Sequence, residues 1–293
     1  MTTVAEDQAR IRSRITHAVQ WGPARNSLKY AAHFAARGRA HLLGVRGAMP
    51  PIANIYAGSC PKAGSQWAKA LFHHPVVRAH SGLFTLPQLD YYQRTIESFP
   101  AGTFVPGLYV SYDFYRQLRH AVPHRMVYVF RDPRDIVVSS YFSGFTHRAV
   151  LDLKKNRPLL DVLSIDEAML LIIENGEHHL RDMASWVGVD ETDETVATWR
   201  LEDISADPAG AVTGMLAHCG IRLSPCELDT VLAETSREAL QKQDLAERKS
   251  GSESHYRVNR QGYRELFKPE HYQAIEAVLP GFIERMGYPP SEY

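Results

Sequence analysis

The chain has few cysteines, no net charge and no long hydrophobic run, and each scarcity removes a class of protein. Its 293 residues hold three cysteines, Cys60, Cys219 and Cys226, with no CxxC pair. That is no disulfide framework, and it fits a reducing cytoplasm. Lys and Arg number 33 and Asp and Glu number 33, so no overall field draws the chain to nucleic acid. No apolar stretch reaches membrane-spanning length, and the N-terminus lacks the hydrophobic core of a signal peptide. No His/Cys/carboxylate group has metal-ligand spacing, and the adjacent pairs His73-His74 and His178-His179 diverge on a helix, so no metal is expected. These absences describe a soluble cytoplasmic protein with no metal and no nucleic-acid partner.

The charge balance hides an asymmetry. Residues 1–50 hold eight Lys and Arg against Glu6 and Asp7, a surplus offset over the rest of the chain. Ile11, Ile15, Ala18 and Val19 recur at helical spacing, as do Leu28, Ala31, Ala32 and Ala35, so this reads as a basic helical N-terminal arm. Such an arm is either a solvated face packed on the main domain or a contact to a membrane surface or a carrier protein. Met49-Pro50-Pro51 marks entry to a single large domain over 51–293.

Within that domain, strands and helices alternate. The apolar pattern predicts strands over 52–59, 103–112, 126–130 and 196–204. It predicts helices over 65–72, 113–120, 165–187, 208–219, 225–240 and 268–286, and one starting at Pro133. The polar stretch 241–261 reads as a long loop. Alternation of this kind predicts an α/β fold, a central parallel sheet with helices on both faces.

Two segments carry chemistry. Ile55 to Ser59 is an apolar strand running into Cys60-Pro61-Lys62-Ala63-Gly64-Ser65-Gln66-Trp67 and then a helical pattern. Strand, Gly/Ser/Lys loop and helix N-terminus together make a phosphate cradle: amides point at an anion and a lysine adds a full charge. The order is not that of the nucleoside-triphosphate loop, whose lysine follows the second glycine; here Lys62 precedes Gly64. The second segment, Tyr128-Val129-Phe130-Arg131-Asp132-Pro133-Arg134-Asp135, ends a strand on Arg131, and Ser139 lies two turns into the helix beyond. A guanidinium fork suits a phosphate, so a second anion site is expected on the same sheet edge.

At these residues the chain resembles the cytosolic-type sulfotransferases, which use 3′-phosphoadenosine 5′-phosphosulfate (PAPS). Pro61 to Trp67 is similar to the family's 5′-phosphosulfate loop, and Arg131 with Ser139 to its 3′-phosphate motif. The resemblance implies a P-loop-like α/β fold with PAPS as co-substrate. It gives Lys62, Ala63, Gly64, Ser65, Gln66 and Trp67 to the phosphosulfate and adenine, and Arg131 and Ser139 to the 3′-phosphate. Glu234-Thr235-Ser236-Arg237 resembles a further adenine segment, with Thr235 in place and Arg237 where phenylalanine is usual. Arg257 matches the family's C-terminal Arg-Lys-Gly, but Val258-Asn259 replaces Lys-Gly, and Arg260 restores a charge nearby. Leu201-Glu202-Asp203-Ile204 stands where members often have Tyr-Glu-Asp-Leu. Arg134 reads as a surface or salt-bridged residue.

Sulfuryl transfer physically resembles phosphoryl transfer, with in-line attack and catalysis largely by positioning and charge stabilisation. Lys62 is placed to meet the charge that builds on the leaving oxygen. The family's base is a histidine on the strand before Arg131, and the matching stretch, Gly107-Leu108-Tyr109, has none. His80 is the first candidate base, since a neutral imidazole accepts a proton near pH 7. Asp113 and Tyr109 are alternatives, and an acidic phenol acceptor needs no strong base. In the family the stretches matching the aromatics Phe84, Tyr91, Tyr92, Phe104, Tyr109, Tyr112, Phe114, Tyr115, Tyr141, Phe142 and Phe145 line the acceptor pocket, so the resemblance implies an apolar or aromatic small-molecule or lipid hydroxyl as acceptor. Two other readings share these motifs: a P-loop phosphotransferase using a nucleoside triphosphate, and a nucleotide-binding protein without catalysis.

Overall fold

The computed structural model describes residues 54–85, 99, 102–120, 122–144, 162–247 and 262–290. The basic arm, Tyr91, Tyr92, Phe145, Arg257 and Arg260 lie outside them.

The first half of the fold comprises β1 (Asn54–Ser59), α1 (Ser65–His73), α2 (Pro75–Ser81), β2 (Phe84–Thr85), β3 (Thr103–Leu108), α3 (Tyr112–Gln117), β4 (His124–Phe130) and α4 (Pro133–Gly144). It continues with α5 (Ile165–Ala184), β5 (Val196–Arg200), α6 (Leu201–Ala206), α7 (Pro208–His218), α8 (Pro225–Glu234) and α9 (Arg237–Glu247). Three short helices close it: α10 (Tyr263–Leu266), α11 (Pro269–Val278) and α12 (Phe282–Arg285). All strand pairings are parallel, in the order β2-β3-β1-β4-β5. Every position of β1 and β3 is buried, as strands covered on both faces require. The α/β architecture expected from the alternating pattern is the one present.

Alternation along the strands sorts the core into two layers. Tyr56, Met126, Tyr128 and Phe130 enter the layer closed by α4, α5 and α11. Ile55, Ala57, Val127 and Val129 enter the layer closed by α1, α2, α7 and α8. The chain leaves β1 toward β2 on one side, and leaves β4 toward β5 on the other. The reversal puts a crevice between the C-terminal ends of β1 and β4, where ligands of open parallel sheets bind. The Lys62 loop follows one of these strands and Arg131 the other.

Several boundaries differ from the sequence expectation. The strand expected over 196–204 stops at Arg200, because Arg200 turns back to Asp203 with bonds of 2.7 Å and α6 begins. The helix expected over 225–240 breaks at Thr235-Ser236, and the one over 268–286 breaks at Leu279-Pro280-Gly281. Proline disfavours helical geometry in the residue before it, and Gly281 then takes a left-handed φ of 64°. Residues 241–247, expected in a loop, are the end of α9. The strand over 103–112 ends at Leu108, since Ser111 caps α3 by accepting a hydrogen bond from the Phe114 amide. Tyr115, expected to line an acceptor pocket, is a core residue packed against Tyr56 and Trp186. Tyr112 also packs on Trp186, with its hydroxyl on Asp193.

Helix α2 was not visible in the sequence pattern, and it is tied to α8 at both ends. His74, its cap, meets Glu234 at 2.9 Å, and His80, near its C-terminus, meets Glu227 at 2.9 Å. The bond from His80 and those from Ser224 hold the Glu227 carboxyl down at about 2, well below its ordinary 4.5. A carboxyl with a folded pKa below its unfolded one stabilises fully above the unfolded value and loses that contribution as pH falls through the folded one. Urea unfolding of wild type and Glu227→Gln should therefore differ most above pH 4.5 and converge toward pH 2. A constant difference across that window would contradict the assignment.

Candidate active site

The cradle is a strained turn. Ala63 N–H closes it onto the Cys60 carbonyl at 3.0 Å, and Lys62 sits at φ 70°, the non-glycine residue with positive φ among those described. Gly64 follows at φ 100° and caps α1 without a side-chain hydrogen bond. That φ needs glycine, and a Cβ there would stand 3.0 Å from Leu201 Cδ1, which would have to give by a few tenths of an ångström. The first-turn amides of a helix have no intrahelical partner. At α1 they carry no capping side chain from Gly64 either, and they open onto the loop bearing Lys62. Cys60 beneath the loop is fully buried, and burial pushes its thiol pKa up, so it serves packing rather than redox chemistry.

Arg131 joins the two motifs. Its Nη1 donates to the Lys62 carbonyl at 2.8 Å, across the crevice between β4 and β1, and the side chain is buried. The next residue is fixed in turn, since the Asp132 amide donates to Glu202 Oε1 at 3.1 Å. Burial raises the Glu202 carboxyl pKa, and the nearby Arg131 charge opposes that rise. Asp132 grips Arg134 with bonds of 2.6 to 3.2 Å, and Arg134 also donates to the Pro289 carbonyl and lies 4.1 Å from the Tyr263 ring centre. Arg134 is therefore salt-bridged and buried, not on the surface. Its charge is spent on Asp132, so it adds little to the anion sites.

Ser139 is half-buried on α4, two turns beyond Pro133. Trp67 is half-buried, packed on the layer that includes Leu201 and Trp199. Gln66 is exposed on the first turn of α1. Thr235 is buried at the end of α8, and its hydroxyl donates to the Val231 carbonyl at 2.7 Å. His80 is buried with its Nε2 turned to Glu227, so its hydrogen bond runs to α8 rather than to the cradle. Asp113 is exposed in the first turn of α3. Tyr109, just past β3, donates its hydroxyl to Ser65 Oγ at 2.8 Å, within the cradle itself. Sequence reasoning did not foresee that contact, the Glu202 strut or the His74–Glu234 tie. Each joins residues far apart in the chain, and only Tyr109 carried any signal.

The Lys62 loop, the N-terminus of α1 and the Arg131 guanidinium meet at the crevice, a donor set whose chemistry suits an anion. Residues 57–287 match the sulfotransferase domain family. The chain belongs to it. Three solved structures share the fold of this sulfotransferase domain. The mouse sulfotransferase SULT7A1 complexed with PAP is 14% identical with a TM-score of 0.54, over 82% of this chain and 87% of that one. Retinol dehydratase in a complex with retinol and PAP is 14% identical at 0.51, covering 83% and 84%. Retinol dehydratase with androsterone and PAP is 14% identical at 0.50, covering 81% and 83%. No curated protein sequence matches the chain. No helix among the described residues is long and apolar enough to cross a membrane.

Proposed function

We propose that the chain transfers the sulfuryl group of PAPS to a hydroxyl of a small-molecule or lipid acceptor, giving a sulfate ester and 3′-phosphoadenosine 5′-phosphate (PAP). The observation that carries this is the Arg131–Lys62 bond, which sets two anion holders side by side at the crevice of a sulfotransferase domain. PAPS is a nucleotide with two separated anionic groups, and it supplies an activated sulfuryl group when bound. Lys62 and the amides of Ala63, Gly64, Ser65, Gln66 and Trp67 hold the 5′ end. Lys62 in addition neutralises charge on the leaving oxygen. Arg131 and Ser139 hold the 3′-phosphate, and the Trp67 and Thr235 segments bound the adenine. Arg257 and Arg260 are proposed to add cationic contacts from the C-terminal segment. The basic N-terminal arm is proposed as a docking element for a membrane surface or carrier.

The test is incubation of the purified chain with PAPS and a panel of phenols, aliphatic alcohols and hydroxylated lipids. Formation of a sulfate ester with equimolar PAP supports the reading. Transfer from ATP with Mg²⁺ and none from PAPS would make the chain a phosphotransferase instead.

A further inference from the structure

With the family's histidine absent and His80 turned to Glu227, the acceptor's proton needs another route. The matching strand end carries Tyr109, and its hydroxyl lies 2.8 Å from Ser65 Oγ. Tyr109 is half-buried, and Ser65 is the first helical residue after Gly64, in the loop proposed above to hold the 5′-phosphate. A phenol and an alcohol oxygen each donate one proton and accept another. Two such groups in series can pass a proton along without either becoming ionised.

We propose that Tyr109 and Ser65 form a proton relay from the acceptor hydroxyl to the 5′-phosphate of departing PAP, in place of a basic side chain. This rests on the sulfotransfer reading above. As the acceptor oxygen bonds to sulfur and the bond from sulfur to the bridging oxygen breaks, the acceptor proton passes to Tyr109 Oη. The Tyr109 proton passes to Ser65 Oγ, and the Ser65 proton to a phosphate oxygen of PAP. Both side chains end as they began, and the reaction needs no further reactant. The terminus is chemically suited to the proton, because a phosphate monoester has a second pKa of about 6. The relay also sets a preference: an acidic phenol gives up its proton readily, whereas an aliphatic alcohol depends on the relay.

The experiment compares wild type, Tyr109→Phe and Ser65→Ala, reading turnover on ethanol-type alcohols and on p-nitrophenol, with PAP affinity by calorimetry. General acid–base groups contribute about 10²–10⁴-fold. Tyr109→Phe should lose about 100-fold or more in kcat on the aliphatic alcohol, lose less than about 10-fold on the nitrophenol, and bind PAP as wild type does. Ser65→Ala should show the same acceptor dependence. A Tyr109→Phe variant with wild-type kcat on the alcohol overturns the relay, as does an equal loss on both acceptors. If PAP affinity falls in parallel with turnover, Tyr109 shapes the cradle and moves no proton. A wild-type chain that neither binds PAP nor turns over overturns the sulfotransfer reading itself, which separates that failure from failure of the relay.

Discussion

Lys62→Ala is expected to lower turnover by about 10²–10³-fold while the protein stays folded. Removal of one preorganised donor to a developing oxyanion costs about that much in other enzymes, and Lys62 brings a full charge where the leaving oxygen gains its own. The backbone makes the expectation sharper. At φ 70° any residue with a Cβ is strained by about 1–2 kcal/mol, a cost that Lys62 carries and glycine would not. Lys62→Gly relieves that strain and adds about 0.5–1 kcal/mol of chain entropy to the unfolded state, so its melting temperature should stay near that of wild type. Activity should nevertheless be lost as fully as in Lys62→Ala. A stable, inactive glycine variant would mean that the strain is kept for the ammonium group. Full turnover by Lys62→Ala would remove the lysine from the mechanism.

Arg131→Ala should weaken PAP by about 100-fold or more while changing AMP affinity much less. Hydrogen bonds to a charged group are worth about 1.5–3 kcal/mol each, and a fork losing two of them forfeits about 3 kcal/mol or more. AMP has no 3′-phosphate, so the loss appears as a collapse of the difference between the two nucleotides. Arg131 also donates to the Lys62 carbonyl, and some slackening of the cradle should lower kcat as well. Arg131→Lys should recover only part of the affinity, since an ammonium can satisfy a carbonyl or a phosphate oxygen but does not offer the planar fork. Equal weakening of PAP and AMP would reduce Arg131 to a structural role.

Both segments proposed to hold anions stand out in the sequence because each is local: a strand, its loop and the helix that follows lie within a dozen or so residues. The sheet was legible for a related reason, since β4 announces burial on both faces by its continuous apolar run from Met126 to Phe130. Helix α2 was missed because His74-Pro75 and Gly82 crowd a short segment with turn-forming residues, although Pro75 at its first position and the His74 cap make a helix start. The break at Thr235-Ser236 was missed because apolar periodicity carries across it. The contacts that decide roles inside the site are long-range and left no pattern. His80 reads as a candidate base in the sequence, and its bond to Glu227, which ties α2 to α8, is visible only in the structure. Tyr109 reads as one strand-end aromatic among many until its hydroxyl is found on Ser65. Arg134, read from sequence as surface or paired, is held by Asp132 two residues away and by Pro289 from the far end of the fold.

The most direct test is calorimetric titration of the chain with PAP beside AMP and ATP with Mg²⁺. The Lys62 cradle and the Arg131 site, joined across one crevice, predict PAP bound well above AMP, with the difference owed to the 3′-phosphate. Binding of ATP with Mg²⁺ in preference to PAP, or no binding of PAP at all, would contradict the PAPS reading.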